Sequence, residues 1–441
     1  MRYGNVANGF KLTALTVALL SLAACGGGGG SSKSKGNPAT VNPDLPIDNS
    51  GDPVGVPTTP PVNETQFQTL NEAIAGFSIF VQDPVVPSNA WEKCGEPRFS
   101  TYTVGERKLN VGFRGDNVFN FAQEERMARI AGLALETTLS NYGFFGTEDG
   151  LRSQALPYYV CVKAENSPLN STEFFAEMGP FDQDKGFYRQ AKDQLANSFV
   201  ERLRTTTDNY DQVYFWFDEG LANYSGDNLL IGSPVTWQNS FAGPDALPNP
   251  MTVERLPNDA AGSPSDPNSK FFTLYPYYAT VVAYFLSDSG LGLTKEDMAN
   301  LLQRGVALNN FGAAFTEVSP VDYPTIKAEI VPRVTAWLEQ ESSTTDLIGL
   351  AADKGAVTGV TIQRKPDWQF EPIKGYNIVQ QSSGNYSFDS LVYTLDDDNY
   401  DLYLTTASGC LKSQVGVTAG KAAPSTEVSG AQSIPCNQIP L

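Results

Sequence analysis

The sequence predicts an α+β protein: a mixed α/β segment, then a run of helices, then a small β-sandwich-like region. Three observations carry this. Apolar residues recur three and four apart through residues 186–341, the spacing of one helix face. Strand-like runs separated by turn residues take over from residue 357. Ahead of both, short strand-like runs at 99–104, 108–113 and 156–162 lie on either side of a long helical stretch at 118–142.

In chain order, the N-terminus carries Arg2 and Lys11, an apolar stretch over 12–20, then Ser21-Leu22-Ala23-Ala24-Cys25. A charged start, a short apolar core and small residues describe a signal peptide, and the stretch is too short for a comfortable membrane span. The Leu-Ala-Ala-Cys ending resembles the bacterial lipobox. That resemblance implies cleavage after residue 24, lipidation of Cys25 and, with Gly26 rather than Asp next, the outer membrane. An ordinary signal peptide cut further on is the alternative. Residues 25–64 hold five consecutive glycines and Pro38, Pro43, Pro46, Pro53, Pro57, Pro60 and Pro61 among small polar residues, which reads as a flexible tether.

A first globular region is expected over 65–345. It opens on an amphipathic pattern, Phe67, Leu70, Ala73, Ile74 and Phe77. Met127, Ile130, Ala131, Ala134 and Thr138 give the long helix, stopped at Gly143. Helices are expected at 187–203, 214–226, 269–287, 294–304 and 324–339, with Thr294 and Asp297 as a capping pair. Between the second and third lies a Pro- and Gly-rich stretch, 232–268, expected to be irregular. The small β region is expected over 357–441, with strands at 357–363, 376–381, 390–395 and 400–405. The last two flank an acidic turn, Asp396-Asp397-Asp398-Asn399. Asp396, Asp397, Asp398 and Asp401 are Ca²⁺ candidates, and a solvated hairpin turn is the competing reading.

The chain contains no histidine. Ser-His-Asp, Cys-His and His-ligated metal chemistry are thereby excluded. The net charge of −19 argues against nucleic acid or anionic membrane surfaces, both of which reward a basic patch. Besides Cys25, the cysteines are Cys94, Cys161, Cys410 and Cys436. An even count in an exported protein points to disulfides, and sequence alone permits three pairings. Nearness favours Cys410 with Cys436, leaving Cys94 with Cys161; isolated buried thiols are the alternative.

The functional argument rests on two blocks. Asp193-Gln194-Leu195-Ala196-Asn197 lies on the expected 187–203 helix, and Phe215-Trp216-Phe217-Asp218-Glu219-Gly220-Leu221-Ala222-Asn223-Tyr224 begins the next. Here the chain resembles the gluzincins, the thermolysin-like and aminopeptidase-like metallopeptidases. Their first helix carries His-Glu-x-x-His and their second supplies a glutamate within a Trp-x-x-Glu-Gly-x-Ala-x-Tyr type of block. Asp193, Gln194 and Asn197 stand at the two histidine places and the general base, and Glu219 stands at the third ligand. Further on, Tyr275-Pro276-Tyr277-Tyr278 resembles the tyrosine helix of aminopeptidase-like members, which implies Tyr275 as the oxyanion-stabilising residue, with Tyr278 replacing the usual glycine. Phe311-Gly312-Ala313-Ala314-Phe315 fits the same helical half, so the likeness spans about residues 120–340.

Histidines at i and i+4 share a helix face and grip one Zn²⁺, while the glutamate after the first activates the bound water. Asp and Asn offer harder oxygens, and glutamine takes no proton at any working pH. The resemblance therefore implies a gluzincin-like domain without catalytic zinc, in which Asp193, Asn197 and Glu219 are candidates for holding another cation such as Ca²⁺, with an empty polar site as the alternative. The plainer reading makes Asp193, Gln194 and Asn197 the polar side of an amphipathic helix. Three functions follow: a surface lipoprotein that binds a peptide, protein or envelope polymer; a carboxylate-based, glycosidase-like hydrolase; or a structural lipoprotein. For the second, Asp218 and Glu219 are adjacent and point apart, a poor acid/base pair.

Overall fold

The structure is a computed structural model and describes residues 69–76, 80–82, 98–104, 107–114, 121–141, 158–163, 171–172, 175–178, 184–204, 213–226, 231–255, 270, 272–365 and 370–440. The expected signal peptide, the expected lipidation site Cys25, the expected tether and Cys94 lie outside the described residues. It is an α+β arrangement: a helical middle followed by a β-rich C-terminal region that contains a curled antiparallel half-barrel sheet. No described helix is long and apolar enough to cross a membrane.

After a short helix α1 (Leu70–Gly76), six strands form the first sheet: β1 (Phe80–Gln82), β2 (Arg98–Val104), β3 (Arg107–Arg114), β4 (Tyr158–Lys163), β5 (Ser171–Thr172) and β6 (Phe175–Met178). Their order is β1-β2-β3-β4-β6-β5. β2 and β3 pair as antiparallel neighbours, whereas β3, β4 and β6 run parallel. The parallel step from β3 to β4 requires a crossover, and helix α2 (Phe121–Asn141) supplies it. Val160, Cys161 and Val162 are all buried, as a central strand covered on both faces must be. β5 closes the edge antiparallel to β6.

Seven helices follow among the described residues: α3 (Asp184–Arg204), α4 (Phe215–Gly226), α5 (Pro234–Ser240), α6 (Tyr275–Leu286), α7 (Lys295–Leu308), α8 (Phe311–Val318) and α9 (Tyr323–Glu341). α4 lies between α3 and α6 and is buried along almost its whole surface, Tyr224 alone being partly exposed. A helix covered on all sides lies in the middle of a core, and the polar residues of α4 are buried with its apolar ones. Around it Phe217 meets Phe311 at 4.8 Å, Phe285 meets Phe315 at 5.4 Å and Trp216 meets Phe311 at 6.0 Å between ring centroids. The expected capping pair starts α7: Asp297 N donates to Thr294 Oγ1 and Thr294 N to Asp297 Oδ2.

Part of the stretch expected to be irregular is ordered. Ser233 caps α5 by accepting from Thr236 N, with Pro234 in the first turn, a start signal that the surrounding Pro and Gly obscured. Trp237 is buried there and donates from Nε1 to Val331 O of α9 at 3.0 Å. Asn249 Nδ2 donates to Lys327 O at 2.6 Å.

α9 passes directly into β7 (Ser342–Ile348). Two sheets build the C-terminal region from β8 (Val357–Gln363), β9 (Ile373–Lys374), β10 (Tyr376–Ser382), β11 (Asn385–Leu391), β12 (Asp398–Thr406), β13 (Gly409–Thr418), β14 (Lys421–Ala422), β15 (Ser425–Glu427) and β16 (Gln432–Ile434). One has the order β10-β11-β7-β15; the other is β14-β13-β12-β8-β9, with β16 on β13. Leu347 and Phe388 of the first and Val360, Ile362, Leu402, Leu404, Leu411 and Val415 of the second share one core. The disulfide Cys410–Cys436 ties β13 to the turn after β16.

Two strand expectations are corrected. The run at 390–395 is not a strand: β11 ends at Leu391, and Val392 and Leu395 reach the core from the following turn, imitating strand hydrophobicity. β11 and β12 belong to different sheets, so the acidic turn joins sheets and closes no hairpin. β7 escapes notice because its inward positions include the small hydroxyl residues Ser343 and Thr345 beside Leu347.

Candidate functional site

Asp193, Gln194 and Asn197 do not form a solvated face of α3. They are 3%, 0% and 3% exposed, and Lys192 is 2% exposed, so the plainer amphipathic reading fails on burial. Ionisable and amide groups are rarely placed so deep without a role in a polar network, because their desolvation must be compensated. Gln194 Nε2 donates to Asp193 Oδ2 at 3.1 Å. Asp193 and Asn197, four residues apart, share one stripe of the helix, and Arg189 extends that stripe by one turn toward its N-terminus.

α3 packs on α4, which brings a second buried polar set: Asp218, Glu219 and Asn223. Asn223 Nδ2 donates back to Glu219 O at 2.8 Å. Two main-chain bonds set the start of α4, Phe215 N to Glu254 O at 3.0 Å and Trp216 N to Val253 O at 3.1 Å. They satisfy amides that a helix leaves open at its N-terminus. Glu254 is itself held: Tyr323 Oη donates to its Oε1 at 2.9 Å and Lys327 Nζ at 2.5 Å. Burial, then the Glu254 charge, pushes the Tyr323 hydroxyl well above its ordinary pKa. The segment 249–254 thus works as a clamp on the helix that carries Glu219.

α6 lies on the other side of α4, and the approach is close. A β-carbon on Gly220 would fall 2.9 Å from Tyr278 O and 2.9 Å from Val282 Cγ2, so the residue after Glu219 has to be glycine. Tyr278 is fully buried, and its hydroxyl has no hydrogen-bond partner among the described residues. Its pKa is raised well above the ordinary value, first by burial and then by the charge of Glu219. Tyr275 is buried at the start of α6, with its ring centroid 6.5 Å from Phe215 and 6.0 Å from Tyr278. Three helices packed in series thus carry buried polar residues, Asp193, Gln194 and Asn197 on α3, Glu219 on α4, and Tyr275 and Tyr278 on α6, and this set is the seam. Tyr278 stands out in the sequence only as a departure from glycine, yet it lies within electrostatic reach of Glu219. Lys192 was missed too, because a lysine inside a helical pattern reads as solvated.

This donor set does not fit a catalytic zinc. Two carboxylates and an amide replace the two nitrogens and one carboxylate that hold the metal in the enzymes the motif resembles. Gln194, whose amide donates to Asp193, has no group that could serve as a general base. Among the described residues no three Asp, Glu or Cys side chains gather as metal ligands.

The acidic turn disperses its carboxylates. Asp398 Oδ2 meets Lys365 Nζ at 2.9 Å, which with the amide of Asn399 holds its carboxyl below the usual range. Asp401 pairs with Lys412 at 2.8 Å, and Asp397 Oδ1 accepts from Ala419 N at 2.6 Å. Asp396 contributes its main-chain oxygen, which accepts from Tyr400 Oη at 3.0 Å. Cys161 is disulfide-bonded and buried in β4; Cys94, its expected partner, lies outside the described residues. No known family model matches the chain, and no curated protein is similar enough to it to count as a relative.

Proposed function

We propose that this chain is a lipid-anchored envelope protein whose helical region is a gluzincin-like scaffold with its catalytic donors replaced. It acts without hydrolysis, by binding a peptide, protein or envelope polymer. The observation that carries the reading is the buried polar seam. Asp193, Gln194 and Asn197 are buried on α3, α3 packs on the helix of Glu219, and Tyr278 lies within electrostatic reach of that glutamate from α6, an amount of buried polarity that a plain packing surface does not need. The parallel strands β3, β4 and β6 with the antiparallel edge β5, all placed ahead of α3, support the same reading of the fold.

The test restores the missing donors. The triple change Asp193→His, Gln194→Glu, Asn197→His should create stoichiometric zinc binding that Glu219→Gln then weakens, because only facing helices place these groups at ligand distance. A folded triple variant that takes up no zinc sinks the helix pairing. Chelator-sensitive peptidase activity in the natural protein sinks the non-hydrolytic reading.

One observation favours a second reading. Groups this deeply buried are not presented to solvent, which suits a structural lipoprotein whose seam is a polar core and nothing more. Crosslinking in intact envelopes separates the two: a binding protein yields a partner that seam variants lose, and a scaffold does not.

A further inference from the structure

Three cations of this strongly acidic chain meet at one place, where the C-terminal region touches α3. Arg364, at the end of β8, lies with its guanidinium carbon 4.1 Å from the centroid of the Phe370 ring. Lys192 Nζ lies 5.9 Å from the same ring and 5.0 Å from the ring of Tyr188. Arg189 forms an ion pair with Glu371. Arg189 and Arg364 are largely buried here and Lys192 almost wholly so, while Glu371 keeps part of its surface in water. Two of the cations thus lie near the ring, and the carboxylate beside it takes the third.

We propose that Phe370 and Glu371 occupy, within the chain, a recognition surface for an aromatic residue followed by a carboxylate, and that a peptide partner of that chemistry competes with them for it. This rests on the reading of the seam as a binding site and names the class of ligand. The surface continues the seam: Arg189 is one turn before Asp193 on the same stripe, and Lys192 is its immediate neighbour. A guanidinium or ammonium against an aromatic face discriminates for the ring, and the arginine–carboxylate pair fixes the residue after it. In a chain of net charge −19, three cations drawn together make a surface of locally opposite sign, and its occupant carries the complementary charge.

The probe is a fluorescently labelled peptide of residues 370–376, Phe-Glu-Pro-Ile-Lys-Gly-Tyr, titrated into the full chain. The variant Phe370→Ala, Glu371→Ala should bind it about tenfold more tightly than the natural chain, since the internal competitor is gone. Adding Arg189→Glu should abolish that gain. A folded double variant that binds no more tightly than the natural chain overturns the proposal. If the double variant does not fold, amide exchange in the natural chain decides: excess peptide should speed exchange at residues 370–376, and unchanged exchange overturns the proposal. Zinc uptake by the triple variant tests the seam independently, so a chain that gains zinc but shows no competition keeps the reading of the seam and loses this ligand.

Discussion

Gly220 of α4 lies against the main chain of Tyr278 in α6, with room for no side-chain atom between them. Gly220→Ala should therefore push the two helices apart. The overpacking cost of about 1–3 kcal/mol outweighs the gain in helix propensity of about 1 kcal/mol. Urea unfolding should show a net loss of stability, and quenching of the aromatic cluster around Trp216 should change. Unaltered stability would mean that α4 and α6 are not in this contact.

The Tyr278 hydroxyl is buried with no partner among the described residues, so Tyr278→Phe should be neutral or stabilising near pH 7. The raised folded-state pKa sets the sign of its alkaline behaviour. Stability is complete below the unfolded value of about 10 and is lost as pH rises toward the folded value, because the unfolded chain gives up the proton first. The phenylalanine variant should keep more of its stability above pH 10 than the natural chain does. A marked loss at neutral pH would reveal a hydrogen bond to this hydroxyl.

Glu254 links α9 to the start of α4 through Tyr323 and Lys327. Glu254→Ala removes the acceptor of two part-buried donors and should cost about 1–3 kcal/mol. Hydrogen exchange should quicken first in α4, whose opening amides bond to the carbonyls of Val253 and Glu254. Uniform loss across the chain would show that the clamp is only part of the general core.

Cys410 and Cys436 enclose a sequence separation of 26 residues. In the chain-entropy account, losing a bridge of that span costs about 3–4 kcal/mol. Cys410→Ala with Cys436→Ala should lower the stability of the β region by that order in chemical denaturation.

Cys25→Ser should release the protein from the membrane fraction or block its processing, given Leu22-Ala23-Ala24 before it. Unchanged detergent partitioning would dispose of the lipid anchor.

The elements easiest to read from sequence were those whose own side chains set their period. The long helix α2 and the capped start of α7 stand close to where spacing and Thr294 with Asp297 place them. Strands were harder where tertiary burial overrides local chemistry. β7 turns serine and threonine inward, and the turn after β11 sends Val392 and Leu395 into the core. At the site, motif order brought Asp193, Asn197 and Glu219 to attention. Their depth was invisible, since a polar residue on a helix carries no mark of what covers it. The contact of Phe370 and Glu371 with α3 was equally hidden, because it joins residues far apart in the chain.

The absence of any spacer between Glu341 and Ser342 bears on how the molecule carries load. α9 ends where β7 begins, Lys421 Nζ donates to Gln340 O at that junction, and Trp337 packs on Tyr393 at 5.2 Å. A pull on the C-terminal region would pass along the axis of α9 into the aromatic core rather than stretch a linker. Under applied force, the two regions should yield together, as one mechanical step.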